Sequence, residues 1–240
     1  RKTEQLIDTL DKVEQNRKEC YIREFSIEHF HDSKVFETLI PKICKIFREE
    51  NEELTGFENE EILAEYQIYK TPGYVYMKGN VQIYSAGKQA ADISAFPEGI
   101  AVAVGSEEDV PDICPDQTID KVFTIENLTS FYRFKQEHSL VIYLGGYHNH
   151  SRRNLLMQIY QKLPDAQYYH FGDLDAGGFY ILEHLKRKTG IPFQMFQMDI
   201  ETLKKYEDYA KPLTENDKKR LMQLEKMELP DKERKIITYM

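Results

Sequence analysis

The chain has 240 residues, a formal net charge of −9 and an apolar fraction of 41%, a composition that supports a folded core in one large domain or two smaller ones. No apolar run reaches the length of a membrane-spanning helix, and the N-terminal residues lack the apolar region of a signal peptide, so we expect a cytoplasmic protein with no membrane partner. The cysteines Cys20, Cys44 and Cys114 are widely spaced, which argues against a disulfide framework and a structural zinc site.

The first half of the chain predicts a smaller α+β region, which we place at residues 1–118. Apolar residues recur at helical spacing up to about residue 50. Residues 74–78 and 81–84 flank the pair Gly79-Asn80, which predicts a β-hairpin. Residues 105–116, with two prolines and several acids, are typical of a linker.

From about residue 120, short apolar strands alternate with helices. This alternation predicts an α/β fold of the Rossmann-like kind, a parallel four-stranded sheet with flanking helices. We place this domain at residues 119–205 and a C-terminal helical segment at residues 206–240. The four strands are predicted at residues 122–125, 140–144, 167–171 and 192–198.

Acidic residues directly follow two of these strands. Glu126 follows the first strand, and Asp173 and Asp175 follow the third, before Gly177 and Gly178 open a helix. Because ligands of open parallel sheets bind at the carboxyl ends of strands, a shared site requires the first and third strands to be neighbours, which predicts the strand order 2-1-3-4. Carboxylates suit Mg²⁺ or Mn²⁺, which prefer oxygen ligands and phosphate substrates. We therefore predict that Glu126, Asp173 and Asp175 are catalytic residues and metal ligands.

Basic residues near the predicted site are candidates for DNA binding. His148, Arg152 and Arg153 follow the second strand at the same edge, where phosphate contact and simple solvent exposure both stay open. Lys34 either reaches DNA or pairs with an acid, and residues 218–220 form either a solvated helix face or a DNA contact. The acidic net charge argues against DNA binding, although a bound metal would offset part of it.

Two motifs resemble known families. A glutamate after one strand, with Asp-x-Asp-x-x-Gly at residues 173–178 after another, resembles the Toprim domain of topoisomerases, primases and related nucleases. A closer resemblance, over most of the chain, is to the C-terminal half of the JetD nucleases of Wadjet anti-plasmid systems. The segments that carry it are Asp32-Ser-Lys-Val-Phe-Glu37, Ile125-Glu-Asn-Leu-Thr-Ser-Phe131 and Phe171-Gly-Asp-Leu-Asp-Ala-Gly-Gly-Phe179.

The resemblance implies a Toprim fold and a Mg²⁺-dependent endonuclease that hydrolyses double-stranded plasmid DNA. Its implied partners are condensin-like Wadjet subunits, and Glu126 would serve in acid-base chemistry or metal binding beside the two aspartate ligands. We expect a homodimer, since two sites would cut two strands. Two alternatives stay open: a transesterase like topoisomerase VI, which attacks DNA through a tyrosine, and a non-catalytic module that binds DNA or partner proteins.

Overall fold

The computed structural model describes residues 2–54, 57–71, 73–104, 111–145 and 150–240. The chain is a mixed α/β protein, and it divides into two compact units, Arg1–Pro72 and Gly73–Met240. Within the described ranges, no helix is both long enough and apolar enough to cross a membrane.

The first unit consists of helices around a small apolar core. Phe25, Phe36 and Ile43 are buried there, as the helical spacing of apolar residues predicted. Two very short strands pair in parallel beside the helices. The elements are α1 (Lys2–Gln15), β1 (Cys20–Tyr21), α2 (Ile22–Phe30), α3 (Val35–Glu50), α4 (Asn59–Glu65) and β2 (Ile68–Tyr69).

The second unit begins with strands and continues with alternating strands and helices. Its strands are β3 (Gly73–Lys78), β4 (Val81–Ser85), β5 (Lys88–Asp92), β6 (Ile100–Val104), β7 (Asp112–Pro115), β8 (Lys121–Ile125), β9 (Ser139–Tyr143), β10 (Gln167–Phe171) and β11 (Gln194–Met195). Its helices are α5 (Leu128–Arg133), α6 (His150–Lys162), α7 (Ala176–Thr189), α8 (Ile200–Lys205), α9 (Glu215–Glu225) and α10 (Asp231–Tyr239).

Strands of the second unit form a mixed sheet, which has the order β11-β10-β8-β9-β3-β6 within the described residues. The strands β9, β8, β10 and β11 are parallel, and their order, 2-1-3-4 along the chain, agrees with the prediction. β3 and β6 run antiparallel and extend the sheet beyond β9. The predicted four-stranded parallel sheet is therefore wrong in extent, because it forms only part of a larger mixed sheet.

The predicted hairpin about Gly79 is also wrong. β3 pairs with β6 and β9, whereas β4 pairs with β5 and β7 in a separate small sheet, so the chain crosses from one sheet to the other at Gly79. Gly79 has a φ of 140°, and a Cβ there would lie 2.5 Å from the Ser139 carbonyl oxygen. The crossing therefore requires glycine at this position. A two-residue hairpin turn lies instead at Ala86 and Gly87, where φ is 49° and 73°.

The division between compact units differs from the predicted boundary after residue 118. Strands β3 and β6 belong to the same sheet as β8, and β7, within the stretch predicted as a linker, pairs with β4. The segment 206–240 contains the helices α9 and α10 and belongs to the second unit. Strand partners far apart in sequence decide this division, and a local pattern of prolines and acids does not reveal them.

Both faces of the parallel strands are covered. On one face, Val122 and Tyr168 pack with Leu155 and Leu182 from α6 and α7. On the other, Phe123 belongs to an aromatic cluster that also contains Tyr169 and Phe196. A sheet held from both sides fixes the ends of β8 and β10, from which the predicted acids project.

Candidate active site

The ends of β8 and β10 bring two predicted site residues together. The strands pair in register from Lys121 with Gln167 to Ile125 with Phe171, and the backbone N–H of Glu126 continues the ladder by donating to the Phe171 carbonyl at 3.0 Å. The backbone N–H of Asp173 then donates to Glu126 Oε2 at 3.2 Å. Glu126 and Asp173 are thus adjacent at the carboxyl edge of the sheet, as the sequence predicted.

Gly172 makes room for this approach. A Cβ there would lie 2.9 Å from Glu126 Oε2 and 2.8 Å from Nε2 of His170, so any side chain would displace one of them. His170 is fully buried on β10, and its Nδ1 lies 2.9 Å from the Thr124 hydroxyl. Its Nε2 makes no hydrogen bond within the described residues, and it shares the space at Gly172 with the Glu126 carboxylate.

Asp175 is the N-cap of α7 and directly precedes that helix. Its backbone is extended, and its Oδ1 accepts a hydrogen bond from the N–H of Gly178 at 2.8 Å, the usual geometry of an aspartate N-cap. Asp173 and Asp175 are both exposed. A Cβ on Gly178 would lie 2.2 Å from the Asp173 carbonyl oxygen, so the absence of a side chain lets the loop fold back on the first turn of α7.

A cation from a distant part of the sequence lies beside these acids. Arg220 on α9 approaches Gly177, where a Cβ would be 2.7 Å from Arg220 Nη1 and 3.0 Å from Asp175 Oδ1. Its positive charge also lowers the pKa of Glu126, against the effects of burial and the neighbouring acids. The guanidinium and the carboxylates therefore occupy one electrostatic environment at the start of α7.

The carboxylates repel one another, and each therefore makes ionisation of its neighbours less favourable. Burial, followed by the charges of Asp173 and Asp175, raises the pKa of Glu126 to about 7 despite the hydrogen bond from the Asp173 backbone and the charge of Arg220. Burial and the charge of Asp175 raise the pKa of Asp173. Proton uptake or a bound cation would each relieve this repulsion.

The donor chemistry of the site suits a hard divalent cation, since carboxylate oxygens are what Mg²⁺ and Mn²⁺ prefer. In the described residues, however, no group of three acidic, histidine or cysteine side chains is gathered closely enough to hold a metal ion. The helix cap formed by Asp175 Oδ1 accounts for part of this difference, because it directs that oxygen toward Gly178. The Glu126 carboxylate contacts the backbone of Asp173, and Asp175 lies two residues farther along the same loop.

Comparison with known proteins gives the family. A family model described as Wadjet protein JetD, C-terminal, matches residues 108–239, more than half of the chain. The chain belongs to the JetD C-terminal family. It is also similar to a curated Wadjet protein JetD from Bacillus cereus (strain Q1), with 29% identity over 226 residues that cover 92% of this chain and 54% of the relative. The chain thus spans about half the length of that JetD protein.

The residues predicted to contact DNA differ from one another in their surroundings. Arg152 lies on α6 and donates through Nη1 to the Leu144 carbonyl at 2.7 Å, and Arg153 is only 7% exposed. Lys34 is exposed before α3 in the first unit, where its backbone N–H donates to Asp32 Oδ1. His148 lies outside the described residues. The two arginines are thus held against the protein.

Sequence reasoning missed two residues of the site. Arg220 lay in a basic run with two open interpretations, and nothing in its spacing indicated an approach to Gly177. His170 lies within an apolar run. Alternate residues of a strand face the same side, so its place two residues before Gly172 could have indicated a polar residue that faces the core. Both residues lie near the acids only because of tertiary packing.

Proposed function

We propose that this chain carries the nuclease centre of a JetD protein, which hydrolyses phosphodiester bonds of double-stranded plasmid DNA with Mg²⁺ or Mn²⁺. One observation carries the proposal: the Asp173 backbone donates a hydrogen bond to Glu126 Oε2, so acids from two parallel strands share one edge. Membership of the JetD family and the strand order 2-1-3-4 support a Toprim-type arrangement of these strands.

In the proposed reaction, the oxygen of water bonds to phosphorus, one ester P–O bond breaks, and a proton of the water ends on the leaving oxygen. Glu126, Asp173 and Asp175 would hold the cation, which when bound neutralises charge on the phosphate and lowers the pKa of its water. Glu126 holds a proton below a pH of about 7 without the cation, and this proton leaves as the carboxylate becomes a ligand. The aromatic and aliphatic layers on either side of the sheet keep the strand ends aligned throughout.

The proposal extends to the partners of the protein. We propose that it acts with condensin-like Wadjet subunits and as a homodimer, so that each of two sites cuts one strand of the duplex. The similarity to a Wadjet protein JetD supports the first of these statements. A tyrosine transesterase would differ by leaving a covalent link between protein and DNA, which denaturing gels detect.

Asp173→Asn tests the site most directly. We expect the intact protein, with its Wadjet partners and Mn²⁺, to linearise supercoiled plasmid, and the variant to cut at least about a hundredfold more slowly, because it loses a charged ligand but keeps its shape. Plasmid conversion on agarose gels measures the cutting. Calorimetry with Mn²⁺ should show weaker binding by the variant.

The exposed Asp165 provides a control, since it lies before β10 and away from the acidic edge. Asp165→Asn should cut and bind Mn²⁺ as the wild-type protein does. Equal cutting by Asp173→Asn and wild type would refute the site assignment. A wild-type protein that binds DNA without binding Mn²⁺ or cutting would favour the non-catalytic module.

A further inference from the structure

The position of Arg220 is unusual for a cation. It lies at the amino-terminal end of α7, beside Gly177 and Asp175 Oδ1, and that end of a helix carries a partial positive charge that repels cations. The nearby acids compensate for this repulsion. A guanidinium in such a place is therefore held by anionic partners, of which Asp175 and Glu126 are the neighbours at this edge.

The protein fixes the helix that carries Arg220. Leu224, one turn farther along α9, is completely buried. The start of α9 is closed by a capping box in which the Thr214 hydroxyl and backbone N–H bond to Asp217. Asp217 also feels the charge of Arg220, which helps lower its pKa. A residue held in this way keeps a defined position relative to α7.

A cleft opens to solvent beside Asp175. It has a volume of about 480 Å³, and its walls include Leu174, Asp175, Lys211 and Asp217. Lys211 is exposed and adds a second cation at this opening. The walls also carry the acids Glu207 and Asp217. A ligand that enters beside Asp175 reaches the amino-terminal end of α7, and that end of a helix attracts anions such as phosphate where nearby acids are neutralised.

We propose that Arg220 is a catalytic residue of this centre, whose guanidinium binds the phosphate that is cleaved; the inference rests on the proposed function. A divalent cation held by the acids would offset their attraction for Arg220, so that the guanidinium could bind an oxygen of the phosphate. The planar guanidinium can hold two phosphate oxygens at once as charge develops on them. Helix α9, outside the predicted Toprim domain, thereby completes the site.

Arg220→Gln tests this role in the intact protein with its partners. We expect single-turnover cutting of plasmid to fall by about 10²- to 10³-fold, the usual effect of removing one donor to a developing oxyanion. Mn²⁺ binding, measured by calorimetry without DNA, should become roughly tenfold tighter, because a positive charge next to the carboxylates is gone. Arg220→Lys should retain part of the cutting, since it keeps the charge but loses the two-pronged geometry.

Lys219→Gln is the matched control, because Lys219 is the preceding residue of α9 and is exposed; its cutting should remain within about twofold of wild type. Wild-type cutting by Arg220→Gln would overturn the inference and leave the proposed function intact. Weaker Mn²⁺ binding together with a lower melting temperature would also overturn it, since that result indicates a structural role. Absence of cutting by wild type would overturn both proposals.

Discussion

At the scale of single residues, the notable group is the Glu126 carboxyl. It is half-buried at a strand end, and the charges of Asp173 and Asp175 add to the effect of burial in raising its pKa to about 7. The folded protein therefore gathers negative charge that it does not neutralise with its own cations alone. Arg220 opposes the shift without reversing it.

Glu126→Gln should change how stability depends on pH. The folded state keeps a proton up to a pH of about 7, whereas the unfolded chain releases it near the ordinary value of 4.5. The free energy of unfolding of the metal-free protein should therefore fall as pH rises between these values, by up to about 3 kcal/mol. Urea unfolding with EDTA, at several pH values across this window, measures the decline.

Glu126→Gln carries no titrating group at this position, so its free energy of unfolding should fall less as the pH rises. Glu225→Gln, on the exposed face of α9, should behave as wild type. Parallel stability curves for wild type and Glu126→Gln would contradict the assigned proton.

At the scale of elements, the first turn of α7 shows two glycines with different roles. A Cβ on Gly178 meets backbone atoms of Asp173, whereas a Cβ on Gly177 meets the ends of two side chains, Arg220 and Asp175. Side-chain ends can move, whereas a backbone carbonyl in a tight loop can move much less. The loop that carries both aspartates therefore depends on Gly178 for its shape.

Gly178→Ala should lower the free energy of unfolding by roughly 2 kcal/mol or more, because the new methyl group overlaps the Asp173 carbonyl. Gly177→Ala should leave stability nearly unchanged, since better helix propensity offsets the displaced side chains. Thermal and urea unfolding compare the two variants. Equal losses of stability would show that the loop does not depend on the close approach at Gly178.

The elements also show what the sequence could reveal. An apolar run that ends on an acid is a local pattern, so the strands β8 and β10, with Glu126 and Asp173 after them, could be predicted. The strands that pair with β3 and β4 could not be predicted, because pairing joins residues far apart in the chain. The sequences of β3 and β4 do not indicate which sheet each strand joins. The approach of Arg220 to Gly177 escaped prediction for the same reason.

At the scale of the whole molecule, a buried ionic cluster joins the last helix to the rest of the second unit. Lys186 on α7 donates to Glu183 on the same helix and to Glu233 on α10, each at 2.6 Å. Their side chains are 20%, 13% and 7% exposed respectively. Burial raises the pKa of Glu183, and the shared lysine is what keeps two carboxylates close together in this environment.

Glu233→Ala should lower the free energy of unfolding by roughly 2 kcal/mol, because it removes one partner of a buried cation while Glu183 remains. Urea unfolding measures the change. Asp112→Ala, which breaks the exposed ion pair with Lys162, should change stability by less than about 1 kcal/mol. A larger loss from the exposed pair than from the buried one would refute this view of how α10 is attached.

The antiparallel strands β3 and β6 have a consequence for anyone who cuts the chain into pieces. A fragment that starts after residue 118 would keep every acid of the centre but would leave the backbone of β9 open along the side that β3 now covers. An exposed edge strand can pair with other copies of the chain, which leads to aggregation. The smallest useful piece of this half therefore starts near Gly73, well upstream of the first acid.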